Sequence, residues 1–130
     1  QVPGNMFSRC HEMLQGGDLC VELELKQIRN TLFVRIHGEI DMMVAEKLRQ
    51  EIDRKLENRK IVNLVLNLEK VTFIDSSGLG VIIGRYKKIS SVNGHMFIVG
   101  ARPSVHKILI FSGINRLVSM YNNEQDIINI

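Results

Sequence analysis

A nearly continuous apolar segment at residues 61–68 constrains the fold of this chain more than any other feature. Only two asparagines interrupt the segment, and such a run is typical of a β-strand that is covered on both faces. An Asp-Ser-Ser-Gly sequence follows at residues 75–78, and apolar side chains then recur at helical spacing, at Leu79, Ile82, Ile83 and Tyr86. The sequence therefore predicts a buried strand that passes through a polar turn into a helix.

The flanking segments predict further strands and helices. Residues 19–26 and 32–36 alternate apolar and polar side chains, which favours an antiparallel hairpin with one buried face. Asp41 is predicted to cap a helix that carries an apolar stripe. On the exposed side of this helix, Glu51 and Lys55 are predicted to form an i,i+4 pair. A strand at 96–99, a helix from Pro103 to Gly113, a strand at 117–121 and a short helix capped by Asn122 or Asn123 complete the pattern.

Strands that alternate with helices of ten or more residues favour right-handed crossovers and a parallel sheet. We therefore expect an α/β fold whose central, mostly parallel sheet begins with an antiparallel hairpin strand and carries about four helices. The first 18 residues contain glycine and proline without sustained periodicity, so we expect a flexible extension at 1–18. Residues 19–130 contain no repeat or linker and are expected to form one domain.

Composition argues against several classes of function. The net charge is only +3, no block of like charges occurs, and the chain has two tyrosines and no tryptophan, so direct nucleic-acid binding is not expected. Cys10 and Cys20 lack metal-ligand spacing, which favours a reduced, cytoplasmic chain. No apolar run reaches 18 residues and no signal peptide pattern is present, so no membrane association is expected.

The serines of the polar turn lie near a predicted helix N-terminus, and two interpretations remain open. Ser76 could simply cap the helix. Alternatively, free backbone N–H groups and the helix dipole would tolerate a phosphate at this place. Asp41 and Asp75 both fall where a strand runs into a helix, so they are predicted to be neighbours on the carboxyl edge of the sheet, with capping as the simpler role for each.

Motifs of catalysis and ligand binding are incomplete. The glycines at 78, 80 and 84 approach a dinucleotide fingerprint, but the third lies one residue too late and the acidic partner is missing. Ser77 lacks the leading glycine of a nucleophile elbow, because Asp75 occupies that place. The four histidines show no paired spacing. We therefore expect no catalytic residue, no cofactor and no metal.

Four blocks together carry a more specific pattern. They are Gly38-Glu39-Ile40-Asp41, Leu64-Val65-Leu66-Asn67-Leu68, Phe73-Ile74-Asp75-Ser76-Ser77-Gly78-Leu79-Gly80-Val81 and Gly84-Arg85-Tyr86-Lys87-Lys88. In order and spacing these blocks closely resemble the STAS domains of bacterial anti-sigma factor antagonists, of the stage II sporulation AA type. The resemblance covers residues 19–130. The chain departs from that type at Met42-Met43, where the group usually has polar residues, and in its N-terminal extension.

The resemblance implies a regulator that is not an enzyme. It would bind an anti-sigma factor that is itself a serine kinase, and so release the sigma factor. Ser76, the serine directly after the aspartate, would be the phosphoacceptor, and a phosphatase of the PP2C type would reverse the modification. Beside it, we expect five residues to contact the partner, namely Asp41, Asp75, Ser77, Gly78 and Gly80.

A phosphoserine adds about −1.5 to −2 charges beside Asp75, so phosphorylation is expected to repel the partner. Two other functions remain open from the residues. One is a STAS-type subunit or nucleotide-sensing domain of a transporter or signalling complex, in which the helix N-terminus would hold a ligand phosphate. The other is a hydrolase that uses Ser76 or Ser77.

Overall fold

The computed structural model of the chain describes residues 8–13 and 20–128, with side chains from residue 22 to residue 127. The strands are β1 Ser8–Met13, β2 Cys20–Ile28, β3 Thr31–Ile40, β4 Asn63–Ile74, β5 Met96–Val99 and β6 Ser119–Tyr121. The helices are α1 Met42–Leu56, α2 Ser76–Ser91, α3 Pro103–Ser112 and α4 Glu124–Ile128, with a 3₁₀ turn at Ile114–Arg116.

All six strands form one sheet in the order β1-β2-β3-β4-β5-β6. Strand β2 is antiparallel to both of its neighbours, β1 and β3, whereas β3, β4, β5 and β6 run parallel to one another. A helix follows each of the parallel strands, as expected of crossover connections. The predicted fold class is therefore confirmed, including the antiparallel start and the four α-helices.

Strand β4 lies at the centre of the core. Its alternate side chains Leu64, Leu66 and Leu68 are fully buried against the face that carries α1, α2 and α3. On the other face, Val65 packs with Phe33 and Val99 in a smaller apolar cluster that Ile127 of α4 partly covers. Both faces of β4 are thus covered, which explains its almost unbroken apolar sequence. No helix in the described part of the chain is long and apolar enough to cross a bilayer.

One strand lies inside the segment that was predicted to stay outside the fold. Ser8–Met13 forms β1, which pairs antiparallel with β2, with Ser8 opposite Leu25 and Met13 opposite Cys20. This pairing uses backbone hydrogen bonds along the edge of β2, so it does not require the apolar periodicity that the sequence lacks. The rest of the predicted extension, residues 1–7 and 14–18, lies outside the described residues.

Several predicted helix boundaries are confirmed. Gly113 ends α3 in the left-handed conformation, with φ of 86°. The side chain of Asn123 accepts a hydrogen bond of 3.1 Å from the Asp126 amide at the start of α4. The predicted pair of Glu51 with Lys55 is wrong: Glu51 is buried and forms ion pairs with Lys47 at 3.4 Å and Arg54 at 3.3 Å.

Candidate functional site

The ends of β3 and β4 place the starts of α1 and α2 side by side. Ile40 pairs with Ile74 in the sheet, after two register shifts between the strands that fall at residues 35–37 and 38–39. Beyond that pair, the Asp75 amide donates a hydrogen bond of 3.2 Å to the Ile40 carbonyl oxygen. Asp41 and Asp75 therefore follow adjacent strand ends, as the sequence predicted.

Each of these aspartates caps a helix. A side-chain oxygen of Asp41 accepts a hydrogen bond of 3.0 Å from the Val44 amide. The corresponding oxygen of Asp75 accepts hydrogen bonds from the amides of Ser77 at 2.9 Å and Gly78 at 3.2 Å. Since Asp75 caps α2, the interpretation that Ser76 is the cap is wrong.

The two serines of the turn have different environments. The Ser77 hydroxyl donates a hydrogen bond to the Asp75 carboxylate and is partly buried. Ser76 is the first residue of α2, its side chain is exposed, and its hydroxyl forms no hydrogen bond with any described residue. Ser76 thus presents a free hydroxyl to solvent, whereas the Ser77 hydroxyl is already used within the turn.

The carboxylate of Asp75 gives this turn a fixed negative charge. The Ser77 hydroxyl and, next, the Gly78 amide hold the pKa of Asp75 below its ordinary value, because they donate hydrogen bonds to the charged form. Among the described side chains, none forms a hydrogen bond with the Ser76 hydroxyl that could activate it, and neither serine forms a hydrogen bond with a histidine. Such a hydroxyl suits a phosphoacceptor of another enzyme better than a nucleophile of its own reaction.

The glycines of α2 serve two different purposes. A Cβ atom on Gly78 would lie 2.6 Å from Cγ1 of Ile74 and 2.8 Å from Cγ2 of Ile40, so Gly78 lets the helix approach the strand ends. Around Gly80 and Gly84 a Cβ atom would meet nothing within 4 Å. Gly78 is therefore a buried packing residue, while Gly80 leaves open backbone on the exposed surface.

Exposed apolar side chains flank the two caps. Met42 is 71% exposed, Met43 is 51% exposed, and Phe73, at the end of β4, is 44% exposed. Met42 and Met43 stood out in the sequence as a departure from the family pattern, whereas Phe73 appeared only as part of one of the four blocks. The position of Phe73 could have been found from the sequence, because it directly precedes the buried Ile74 at the end of β4.

A group of possible metal ligands lies elsewhere on the sheet. Atoms of Glu22, Glu24 and His37 lie within 4.8 Å of one another. These side chains already contact partners within the protein: His37 lies 3.3 Å from Glu22, and Arg35 lies 3.7 Å from Glu24. The group joins the neighbouring strands β2 and β3, which the histidine spacing in the sequence could not indicate.

Comparison with known proteins places this geometry in a family. Residues 22–127 match the STAS domain. The anti-sigma F factor antagonist of Paenibacillus polymyxa is 38% identical over 104 residues, which cover 80% of this chain and 89% of that protein.

Two solved structures are also similar. The anti-sigma factor antagonist SpoIIAA in its unphosphorylated form matches with a TM-score of 0.69 and 26% identity, over 82% of this chain and 94% of that chain. The Bacillus cell fate determinant SpoIIAA in the phosphorylated form matches with a TM-score of 0.68 and 27% identity, over 82% of this chain and 97% of that chain. These matches agree with the prediction of a binding regulator that is not an enzyme. The chain belongs to the STAS-domain family, in the group of anti-sigma factor antagonists.

Proposed function

We propose that this protein, in its unphosphorylated form, binds a cytoplasmic anti-sigma factor that is also a serine kinase, and thereby releases a sigma factor of the sporulation type. Phosphorylation of Ser76 by that kinase ends the interaction, and a phosphatase of the PP2C type restores it. The observation that carries the assignment is the free, exposed hydroxyl of Ser76 beside the engaged hydroxyl of Ser77. Family membership supports the class of partner.

The proposed contact surface is the carboxyl edge of β3 and β4 with the first turns of α1 and α2. Asp41, Asp75 and Ser76 supply its polar groups, and Gly80 allows the partner to approach the helix backbone. Ser77 and Gly78 contribute from beneath this surface, because they hold the Asp75 carboxylate in place through hydrogen bonds. Met42 adds an exposed apolar contact next to the polar centre.

The proposed switch works through charge at the surface. A phosphate on Ser76 would add about −1.5 to −2 charges next to the ionised Asp75 carboxylate, so a partner surface that accommodates a neutral hydroxyl would be repelled. Within the protein, the same phosphate lies at the positive end of the α2 dipole, which stabilises negative charge. Phosphorylation should therefore weaken docking without unfolding the helix.

Comparison with the two SpoIIAA structures is consistent with such a mechanism. The unphosphorylated and phosphorylated forms match this chain almost equally well. A modification that acts through local charge needs no change of fold.

The assignment can be tested by phosphorylation with a purified serine-kinase anti-sigma factor from the source organism and ATP, followed by mass spectrometry of the modified peptide. We expect one phosphate, on Ser76 in the wild type and in Ser77→Ala, and none in Ser76→Ala. Ser77→Ala is the matched control, because it removes the neighbouring hydroxyl of the same turn. Phosphate on Ser77 in the wild type would contradict the assignment.

A further inference from the structure

A basic pocket lies at the edge of the sheet opposite to Ser76. It lies between the turn that joins β2 to β3 and the loop that joins α1 to β4, and its volume is about 670 Å³. Its lining includes Leu25 and Leu32 and four cationic residues, namely Lys26, Arg29, Lys55 and Lys60, of which Lys26 interacts electrostatically with Glu124 outside the lining. This volume is in the range of pockets that hold small ligands.

Hydrogen bonds fix the two walls of the pocket relative to each other. The Asn58 side-chain amide donates to the Gln27 side-chain oxygen at 3.2 Å, and Gln27 donates to the Arg29 carbonyl at 2.9 Å. The Val62 amide donates to the Asn30 carbonyl at 2.9 Å. The pocket is therefore preformed, so a ligand would not have to order its walls.

Three of the four cationic residues of the pocket have no partner of opposite charge among the described residues. Among the described lining residues there is no carboxylate, and Arg29, Lys55 and Lys60 form no ion pair with any described residue. Lys55 is half-buried, and its predicted partner Glu51 pairs with other cations instead.

Helix α1 ends beside the pocket, but the negative end of its dipole amounts to only about half an elementary charge. That partial charge is small against the three cations Arg29, Lys55 and Lys60. A partly buried ammonium without a counterion is costly, so an anion in the pocket would be stabilised.

We propose that this pocket binds a small, multiply charged oxyanion of the phosphate class. Lysine and arginine together are the side chains that proteins use for phosphate. The described lining contains no aromatic side chain, so it offers no platform on which a nucleobase could stack. The site is separate from the phosphoacceptor surface and does not depend on the proposed function.

The test is a calorimetric titration of the full chain with tripolyphosphate at low salt. We expect saturable binding with one site per chain, and a clear loss of affinity between about 50 mM and about 200 mM salt. Lys55→Gln with Lys60→Gln should weaken binding about tenfold or more. The control pair Lys87→Gln with Lys107→Gln makes the same charge change at exposed positions outside the pocket, and should retain affinity within about twofold.

A second variant guards against loss of folding. Arg29 has φ of 56°, a conformation that asparagine tolerates, so Arg29→Asn should fold and still weaken binding. Vesicles that contain a phosphoinositide form a parallel arm: co-sedimentation would assign the ligand to a lipid headgroup, and its absence would assign a free anion. No saturable binding by the wild type, or equal loss in the pocket and control pairs, would overturn the proposal.

Discussion

The Asp75 amide donates a hydrogen bond of 3.2 Å to the carbonyl oxygen of Ile40. This bond continues the pairing of β3 with β4 by one residue beyond Ile74, and so ties the start of α2 to the end of β3. It is the reason that two helix caps from distant parts of the sequence share one edge of the sheet. Ser76 follows immediately and is carried to the exposed side of that edge.

Gly78 provides a direct test of this arrangement. Gly78→Ala should destabilise the protein by about 1–3 kcal/mol, because the new methyl group would overlap Ile74 and Ile40 at the strand ends. The free energy of unfolding from denaturant titration gives the measurement.

Gly80→Ala and Gly84→Ala are matched controls on the same helix. Their methyl groups would meet open space, so each should leave stability unchanged or raise it by up to about 1 kcal/mol through helix propensity. If all three substitutions changed the free energy of unfolding equally, Gly78 would not be needed for the close approach of α2 to the strand ends.

The pH dependence of stability tests the electrostatic role of Asp75. Its pKa is lowered in the folded state, chiefly by the Ser77 hydroxyl, so the ionised form contributes stability above the unfolded pKa of about 3.9 and loses it as the pH falls through the folded pKa. Wild type should therefore be more stable than Asp75→Asn at pH 7, and the difference should shrink below about pH 4. In denaturant titrations across this pH range, a constant stability difference between wild type and Asp75→Asn would contradict this account.

Glu124 at the start of α4 forms a clamp with Arg35 of β3 and Asn67 of β4. Arg35 donates two hydrogen bonds of 3.0 Å to the Glu124 carboxylate, and Asn67 adds one of 2.7 Å. Glu124→Gln should cost about 1 kcal/mol, a modest value because the Arg35 side chain is 40% exposed. Asp126→Asn, on the exposed side of the same helix, should be nearly neutral. Equal losses in chemical denaturation would show that the clamp adds nothing specific.

Much of the fold could be predicted from the sequence, because periodicity reports burial. The run at 61–68 and the alternation before it identified the central strand and the hairpin, and Gly113 marked the end of α3 through its left-handed conformation. Strand β1 could not be predicted, since it is joined to β2 by backbone pairing and its sequence shows no apolar periodicity. The ion-pair partners of Glu51 could not be predicted either, because Glu51 is buried in the folded protein and helical spacing alone does not indicate this burial.

The site was predicted in outline but not in its detail. Spacing and strand ends brought Asp41 and Asp75 together correctly. Which residue caps α2 depends on one backbone position, and the structure gives that role to Asp75 and leaves Ser76 free. Gly78 and Gly80 look alike in the sequence, yet one is enclosed by isoleucines and the other is exposed, a difference that only the packing of α2 reveals.

Asp41 should matter for partner binding beyond its role as a cap. Asp41→Asn keeps a side-chain oxygen for the Val44 amide, so stability should change little, whereas Asp41→Ala should cost about 1 kcal/mol. The affinity of Asp41→Asn for the anti-sigma factor, measured by calorimetry, should fall several-fold through the lost charge. Glu57→Gln, at the far end of α1, serves as the charge control. Unchanged affinity of Asp41→Asn would remove Asp41 from the contact surface.

The most direct test of the central claim is the affinity of the anti-sigma factor for Ser76 variants that fold normally. Ser76→Ala should bind within about threefold of wild type, and Ser76→Asp should bind about tenfold more weakly or worse, because it places a fixed negative charge beside Asp75. Ser90→Asp, an exposed position near the other end of α2, should bind like wild type. A folded Ser76→Asp protein that binds as tightly as wild type would contradict the proposed switch.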